Sequence, residues 1–153
     1  MVAVITRVKS ASVRVNDGYS AEIADGLLVL LGVASGDTED DADYLAGKIT
    51  GLRIFGDESG KMGLSVDDVA GSIMVVPNFT LTADCRKGRR PDFTASAPPE
   101  EAKRLYEYFA GCCREGGRNV ATGVFGGDMA VVSHNDGPVT IIMDTKAMRR
   151  GRA

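Results

Sequence analysis

At 153 residues the chain fits a single domain and can bury a real core without disulfide or metal staples. Hydrophobic residues at 44% and charged residues at 25% are ordinary for a globular protein, and the longest apolar run, Leu27 to Ala34, falls well short of the ~20 residues needed to cross a bilayer. The net charge of −3 argues against a wholly basic nucleic-acid binder, yet the four cations Lys146, Arg149, Arg150 and Arg152 crowd the last eight residues and leave 14 basic and 21 acidic groups on residues 1–145.

Arg7 and Lys9 follow the first apolar residues instead of preceding them, so no secretory leader is read at the start and a cytoplasmic protein is expected. Cys85, Cys112 and Cys113 are odd in number and lack C-x-x-C spacing, while His134 is the one histidine. Neither a protein-held metal nor a cofactor is expected.

Residues 2–8 alternate as a strand, Val2, Val4, Thr6 and Val8 on one face and Ala3, Ile5 and Arg7 on the other. Val13–Val15 and Ala21–Ala24 flank Asn16-Asp17-Gly18, a hairpin signal, and Asp25-Gly26 reads as a second turn. The continuous apolar run that follows, Leu27–Val33, predicts a strand buried on both faces. Thr38 and Asp41 have the spacing of a helix cap, after which Ala42, Leu45, Ala46, Ile49 and Leu52 recur at helical period.

Asp57–Gly60 reads as a turn, and Ser72–Leu81 as a strand interrupted by Pro77. Thr82–Ala97 carries turn residues and charges and is read as a functional loop. Pro98-Pro99-Glu100-Glu101 opens a second helix with Ala102, Leu105, Tyr106 and Phe109 on its buried face, stopped by Gly116-Gly117. Residues 128–133 and 139–144 read as two strands joined by a turn at 134–138. The expected fold is α/β: a curved mixed, largely antiparallel sheet or barrel with two main helices packed outside, in one domain over 1–145. The basic tail, 146–153, is expected to be disordered.

The sequence holds no P-loop, G-x-S-x-G elbow, H-E-x-x-H or dinucleotide fingerprint. Ser133 and His134 are adjacent on a strand, so they point to opposite faces and form no dyad. Thr80, in Asn78-Phe79-Thr80-Leu81, could be a nucleophile, but nothing nearby in sequence would activate it. Its backbone N–H could instead face a developing oxyanion, or the residue could be a β-branched strand former and nothing more. Arg86, Lys87, Arg89 and Arg90 form the one basic cluster in the body that could meet RNA; a solvated loop has the same composition.

Several blocks resemble the D-aminoacyl-tRNA deacylase (D-tyrosyl-tRNA deacylase) family in order and spacing. They are Arg7-Val8 with Ala11-Ser12-Val13, Gly26–Val33, Arg53-Ile54-Phe55 with Gly60-Lys61-Met62, and Phe79-Thr80-Leu81. Ala83-Asp84, Gly88-x-Arg90-Pro91-x-Phe93, Thr122-Gly123-x-Phe125 and Asn135–Thr140 complete the match over residues 1–145. The resemblance implies a cytoplasmic homodimer with its active sites at the subunit interface, hydrolysing D-aminoacyl-tRNA and glycine mischarged on tRNA-Ala.

It further implies that Gly137-Pro138 is cis and enters the partner's pocket, where its carbonyls reject L side chains, with Arg7 bracing the motif. Chemistry is implied to rest on the substrate's own 2′-hydroxyl and on backbone groups of Phe79-Thr80, next to Asn78. Where the family usually reads Ser-Gln-Phe-Thr-Leu this chain has Pro77-Asn78-Phe79-Thr80-Leu81, which removes a hydroxyl and a backbone donor and shortens an amide. The rival readings are a non-catalytic RNA-binding protein using residues 86–90 and the tail, and a hydrolase with Thr80 as nucleophile.

Overall fold

The strand expected over residues 2–8 continues to twice that length as β1 (Val2–Val15) in a computed structural model that describes residues 1–16 and 18–150. One edge of β1 carries two strands end to end, β2 (Ser20–Ile23) and β3 (Gly26–Gly32). The register runs without a slip from Val8 opposite Gly26 to Ala11 opposite Ile23. Asp25-Gly26, expected as a turn, is therefore a break in one edge and not a reversal. Gly26 is required there because a Cβ would lie 1.9 Å from the Ser72 carbonyl oxygen. At the hairpin, Val15 N–H donates to the Tyr19 carbonyl at 2.9 Å; Asp17 of the expected Asn16-Asp17-Gly18 turn lies outside the described residues.

The other edge of β1 pairs antiparallel with β8 (Met129–Asp144) along its whole length. Residues 128–133 and 139–144, expected as two strands around a turn, are thus one strand. Beyond β3 the sheet turns parallel: β3 pairs with β6 (Ser72–Pro77), and β6 with β7 (Val120–Thr122). Tyr19 Oη donates to the Thr122 carbonyl at 2.8 Å, so the chain beside β2 meets β7 and the sheet curls nearly closed. A separate hairpin, β4 (Phe55–Gly56) with β5 (Met62–Leu64), lies apart from it.

This mixed, mostly antiparallel sheet buries both faces. Val8, Ala11, Val13, Leu28, Met74 and Val76 fill the inside of the curl, and Ala3, Ile5, Leu27, Val29, Leu31 and Val75 face the helices. An extra residue in β1 near Lys9 shifts the pairing and keeps Val8, Ala11 and Val13 on one side despite their odd spacing. The continuous apolar run of β3 follows from the two-sided burial.

The helices are α1 (Glu39–Thr50) and α2 (Pro99–Arg114), with their predicted apolar faces against the sheet, and α3 (Thr145–Arg150). Asp41 accepts from the Thr38 backbone N–H at 3.0 Å, closing the expected cap. The tail departs from expectation: residues 146–150 belong to α3, because Lys146 Nζ donates to the Ser35 carbonyl at 2.9 Å and Arg149 to the Asp40 carbonyl at 2.7 Å. Residues 151–153 lie outside the described residues. Among the described residues no helix is long and apolar enough to cross a membrane.

One buried ion pair joins three segments of this fold. The Met1 amino group lies 2.8 Å from Asp37 Oδ2, with both groups fully buried, and donates to Thr145 Oγ1 at 2.7 Å. Ala34 N–H donates to the same carboxylate at 2.6 Å. Removing one member of such a pair strands the other charge in a low-dielectric site. Asp37→Asn is expected to cost about 3–5 kcal/mol, read as a lower midpoint in urea denaturation with an unchanged slope.

Candidate active site

The site begins with a mismatch in length between β1 and β8. Thr6 pairs with Thr140 and Val8 with Asn135, so a two-residue step on β1 spans five residues of β8. Asp136, Gly137, Pro138 and Val139 are looped out opposite Arg7. The half-buried Arg7 side chain fills the gap: its Nε donates to the Asp136 carbonyl at 3.0 Å and lies 3.1 Å from that residue's carboxylate, while Nη1 donates to the Ile54 carbonyl. Lys9 Nζ adds a second cation 3.6 Å from the Asp136 carboxylate.

Gly137-Pro138 is cis, and both residues are exposed. A Cβ on Gly137 would lie 2.1 Å from the Val139 backbone nitrogen, so no side chain fits there. Arg7 was expected to brace this pair, and its bond falls one residue before it. It holds the carbonyl of Asp136, not those of Gly137 and Pro138.

The second part lies where β6 ends. Pro77 is its last residue and pairs opposite Leu31, and Asn78 N–H donates to the Leu31 carbonyl at 2.8 Å. The donor that Pro77 lacks thus belongs to the side facing β7, whose pairing stops earlier at Thr122. Phe79–Thr82 then forms a single 3₁₀ turn, not the strand continuation expected through Leu81. The first N–H groups of such a turn, on Phe79 and Thr80, have no carbonyl partner within it. Thr80 Oγ1 donates to Asn78 Oδ1, and Thr82 Oγ1 meets Ser96 Oγ at 2.6 Å, which ties the turn to the following loop.

Beside this turn opens a cavity of about 500 Å³ walled by Pro77, Asn78, Phe79, Phe93, Tyr106 and Phe125, with Leu31 and Val33 below. Phe79 is 57% exposed and packs edge-on against Phe93, ring centres 5.1 Å apart. No Lys, Arg, His, Asp, Glu or Cys lines it. Tyr106 turns its hydroxyl away to donate to the Val75 carbonyl at 2.9 Å, and burial pushes that phenol's pKa up.

Nucleophiles elsewhere are poorly placed for covalent chemistry. His134 is exposed on β8 opposite Ser10, and the hydroxyl of Ser133 donates to Asn135 Oδ1 at 2.8 Å. Burial, with a bond to Asp43 and its charge, pushes the Cys112 thiol up to about 11, and burial pushes Cys113 up to about 12. Both are therefore protonated thiols at neutral pH. Among the described residues no group of three metal-ligating side chains gathers. What the cavity offers is shape, apolar and aromatic walls, and a few uncharged polar groups at Asn78, Thr94 and Ser96.

The profile of a protein family described as D-Tyr-tRNA(Tyr) deacylase matches residues 4–144. The chain belongs to that family. Curated relatives named D-aminoacyl-tRNA deacylase include one from Dehalococcoides mccartyi, 56% identical over 95% of each chain, and one from Geobacter sulfurreducens, 56% identical over 96% of this chain and 97% of the relative. A solved structure titled c-Myc DNA Unwinding Element Binding Protein is 40% identical and covers 94% of this chain and 98% of its own, with a TM-score of 0.88.

In this D-Tyr-tRNA(Tyr) deacylase family member, Asn78 and Phe79 line the cavity and Thr80 follows on the same turn. Gly137 and Pro138 do not line the cavity of their own chain. Sequence reasoning missed Phe93, Tyr106 and Phe125 as walls. Phe93 and Phe125 stood in blocks shared with the family but without a role, and Tyr106 read as part of the buried face of the second helix.

Of the basic cluster, Arg86 is already engaged. Its guanidinium binds both carboxylate oxygens of Asp84, at 2.6–3.0 Å, on a loop closed by the Asp84–Asp92 bridge, while Lys87, Arg89 and Arg90 stay exposed. That bond holds the Asp84 carboxyl down at about 2. A depressed carboxyl stabilises the fold above its unfolded value near 3.8 and loses that contribution as pH falls through 2. Carboxyl titration followed by NMR should therefore place Asp84 near 2 in the native protein, and markedly closer to 3.8 in Arg86→Ala.

Proposed function

We propose that the chain hydrolyses the ester between a D-amino acid and the terminal adenosine of tRNA. Water adds to the ester carbonyl, the bond to the ribose 3′ oxygen breaks, and free D-amino acid and tRNA leave. The observation that carries this reading is the cavity at Phe79, which is built for fit and offers no acid or base of its own. An activated ester needs less help than an amide, and orientation alone can supply several kcal/mol. The substrate's 2′-hydroxyl is then the proton-handling group. The N–H groups of Phe79 and Thr80, which lack carbonyl partners within their turn, are assigned to meet negative charge developing on the carbonyl oxygen.

Selection for the D-configuration is assigned to Gly137 and Pro138 of a second copy of the chain. Two features support this: the pair is exposed and absent from its own cavity, and the bulge is pinned from behind by Arg7. A backbone carbonyl next to a point held this way, at Asp136, cannot rotate aside as a side chain can, so an L side chain meets fixed atoms while a D side chain or glycine passes. The dimer this needs is supported by β8, which pairs only with β1 among the described strands and exposes Val132 and Ile142 at 65% and 71%. A bare sixteen-residue edge with apolar side chains calls for cover. Lys87, Arg89 and Arg90 are assigned to phosphates of the tRNA, with Arg86 ordering their loop.

The deciding experiment compares matched substrates with purified protein. D-tyrosyl-tRNA and glycyl-tRNA should be hydrolysed while L-tyrosyl-tRNA survives; equal rates on both enantiomers would remove the chirality filter. RNA binding without any turnover would instead favour the non-catalytic reading.

Thr80 should act through its main chain. Thr80→Ala is expected to keep kcat within about tenfold of the parent, whereas loss of a covalent nucleophile costs several orders of magnitude. A collapse on that larger scale, with the thermal transition unchanged, would restore Thr80 as nucleophile.

A further inference from the structure

Behind the wall formed by Tyr106 and Phe125 lies a second cavity, of about 310 Å³, that shares those two residues with the first. Its other side differs in chemistry. Lys103, Glu107 and Arg114 project from one face of α2, and Tyr19 leans in from the hairpin. Tyr19 is fixed by its bond to the Thr122 carbonyl yet is 40% exposed. Lys103 Nζ and Glu107 Oε1 are 3.9 Å apart and over half exposed, a pairing weak enough to be exchanged for a ligand. A held aromatic ring with cations beside it is the arrangement that binds single-stranded nucleic acid, the ring stacking a base and the cations meeting its phosphates.

We infer that this cavity takes the cytidine that precedes the terminal adenosine of the tRNA 3′ end. The inference rests on the deacylase reading, because the shared wall of Tyr106 and Phe125 sets this cavity next to the site assigned to the aminoacyl adenosine. The cytosine ring would stack on Tyr19, and Lys103 and Arg114 would take its flanking phosphates. Glu107, which would otherwise repel an anion, supplies an acceptor for the cytosine N4 amino group, where uracil presents a carbonyl oxygen that the carboxylate repels. Two cations and one anion in one groove are thus consistent with a base reader and not with a plain phosphate track.

The test reads binding without turnover. A short single-stranded RNA ending in CCA, labelled at its 5′ end, is titrated with the full chain and followed by fluorescence anisotropy. Lys103→Ala combined with Arg114→Ala should weaken binding about tenfold and flatten the salt dependence by about 0.7 for each phosphate left without its cation. Replacing the penultimate cytidine by uridine should weaken binding about fivefold for the parent, the size of one hydrogen bond, and leave Glu107→Ala indifferent to the exchange. These side chains are exposed, and a thermal melt checks that each variant folds. Unchanged affinity in the double variant, or a parent blind to cytidine against uridine, overturns the inference. Turnover of D-tyrosyl-tRNA by the parent reports separately on the deacylase reading, so failure of one is distinguishable from failure of the other.

Discussion

The surplus of β8 over β1 is the constraint around which this molecule is organised. Four residues against Arg7 alone are three more than a regular ladder can absorb, so this stretch must bulge from the sheet. A bulge of that size would ordinarily be free to move. Here a planar fork of donors is anchored at one end to Ile54 and at the other to Asp136, and it converts the loop into a fixed projection. Gly137 lets the backbone turn there without a collision.

The same economy governs the cavity. Its floor is the apolar end of β3, its rim is a turn forced by Pro77 at the end of β6, and its walls are aromatic rings from the loop before α2, from α2 itself and from the segment after β7. None of these pieces is a reactive side chain. The electrostatic contrast instead lies outside, on α2 and on the 86–90 loop, where charge can meet a polyanion without the cost of burial.

Much of this was legible from the residues. The two-sided burial of β3 followed from its unbroken apolar run, and both long helices from their period and their opening residues. The single strand β8 was not, because Asn-Asp-Gly-Pro is a turn signature and only the partner strand reveals that the chain resumes its direction. The helix at 145–150 escaped for a related reason: its composition is that of a solvated tail, and its order comes from Ser35 and Asp40, over a hundred residues away in sequence. At the site, Arg7 and Gly137-Pro138 were singled out by resemblance alone. The Ile54 carbonyl that completes the brace is 47 residues from Arg7, a pairing no local pattern encodes.

The position of β1 has a further consequence. It is paired along both edges, and it contributes side chains to the inner core and to the helix-facing core alike. Its paired amides are therefore expected among the slowest to exchange, with the break beside Arg7 and Lys9 as the exception. Edges and loops open at lower cost. The brace behind the projecting pair is thus rooted in the inner strand, although the pair itself projects from the edge.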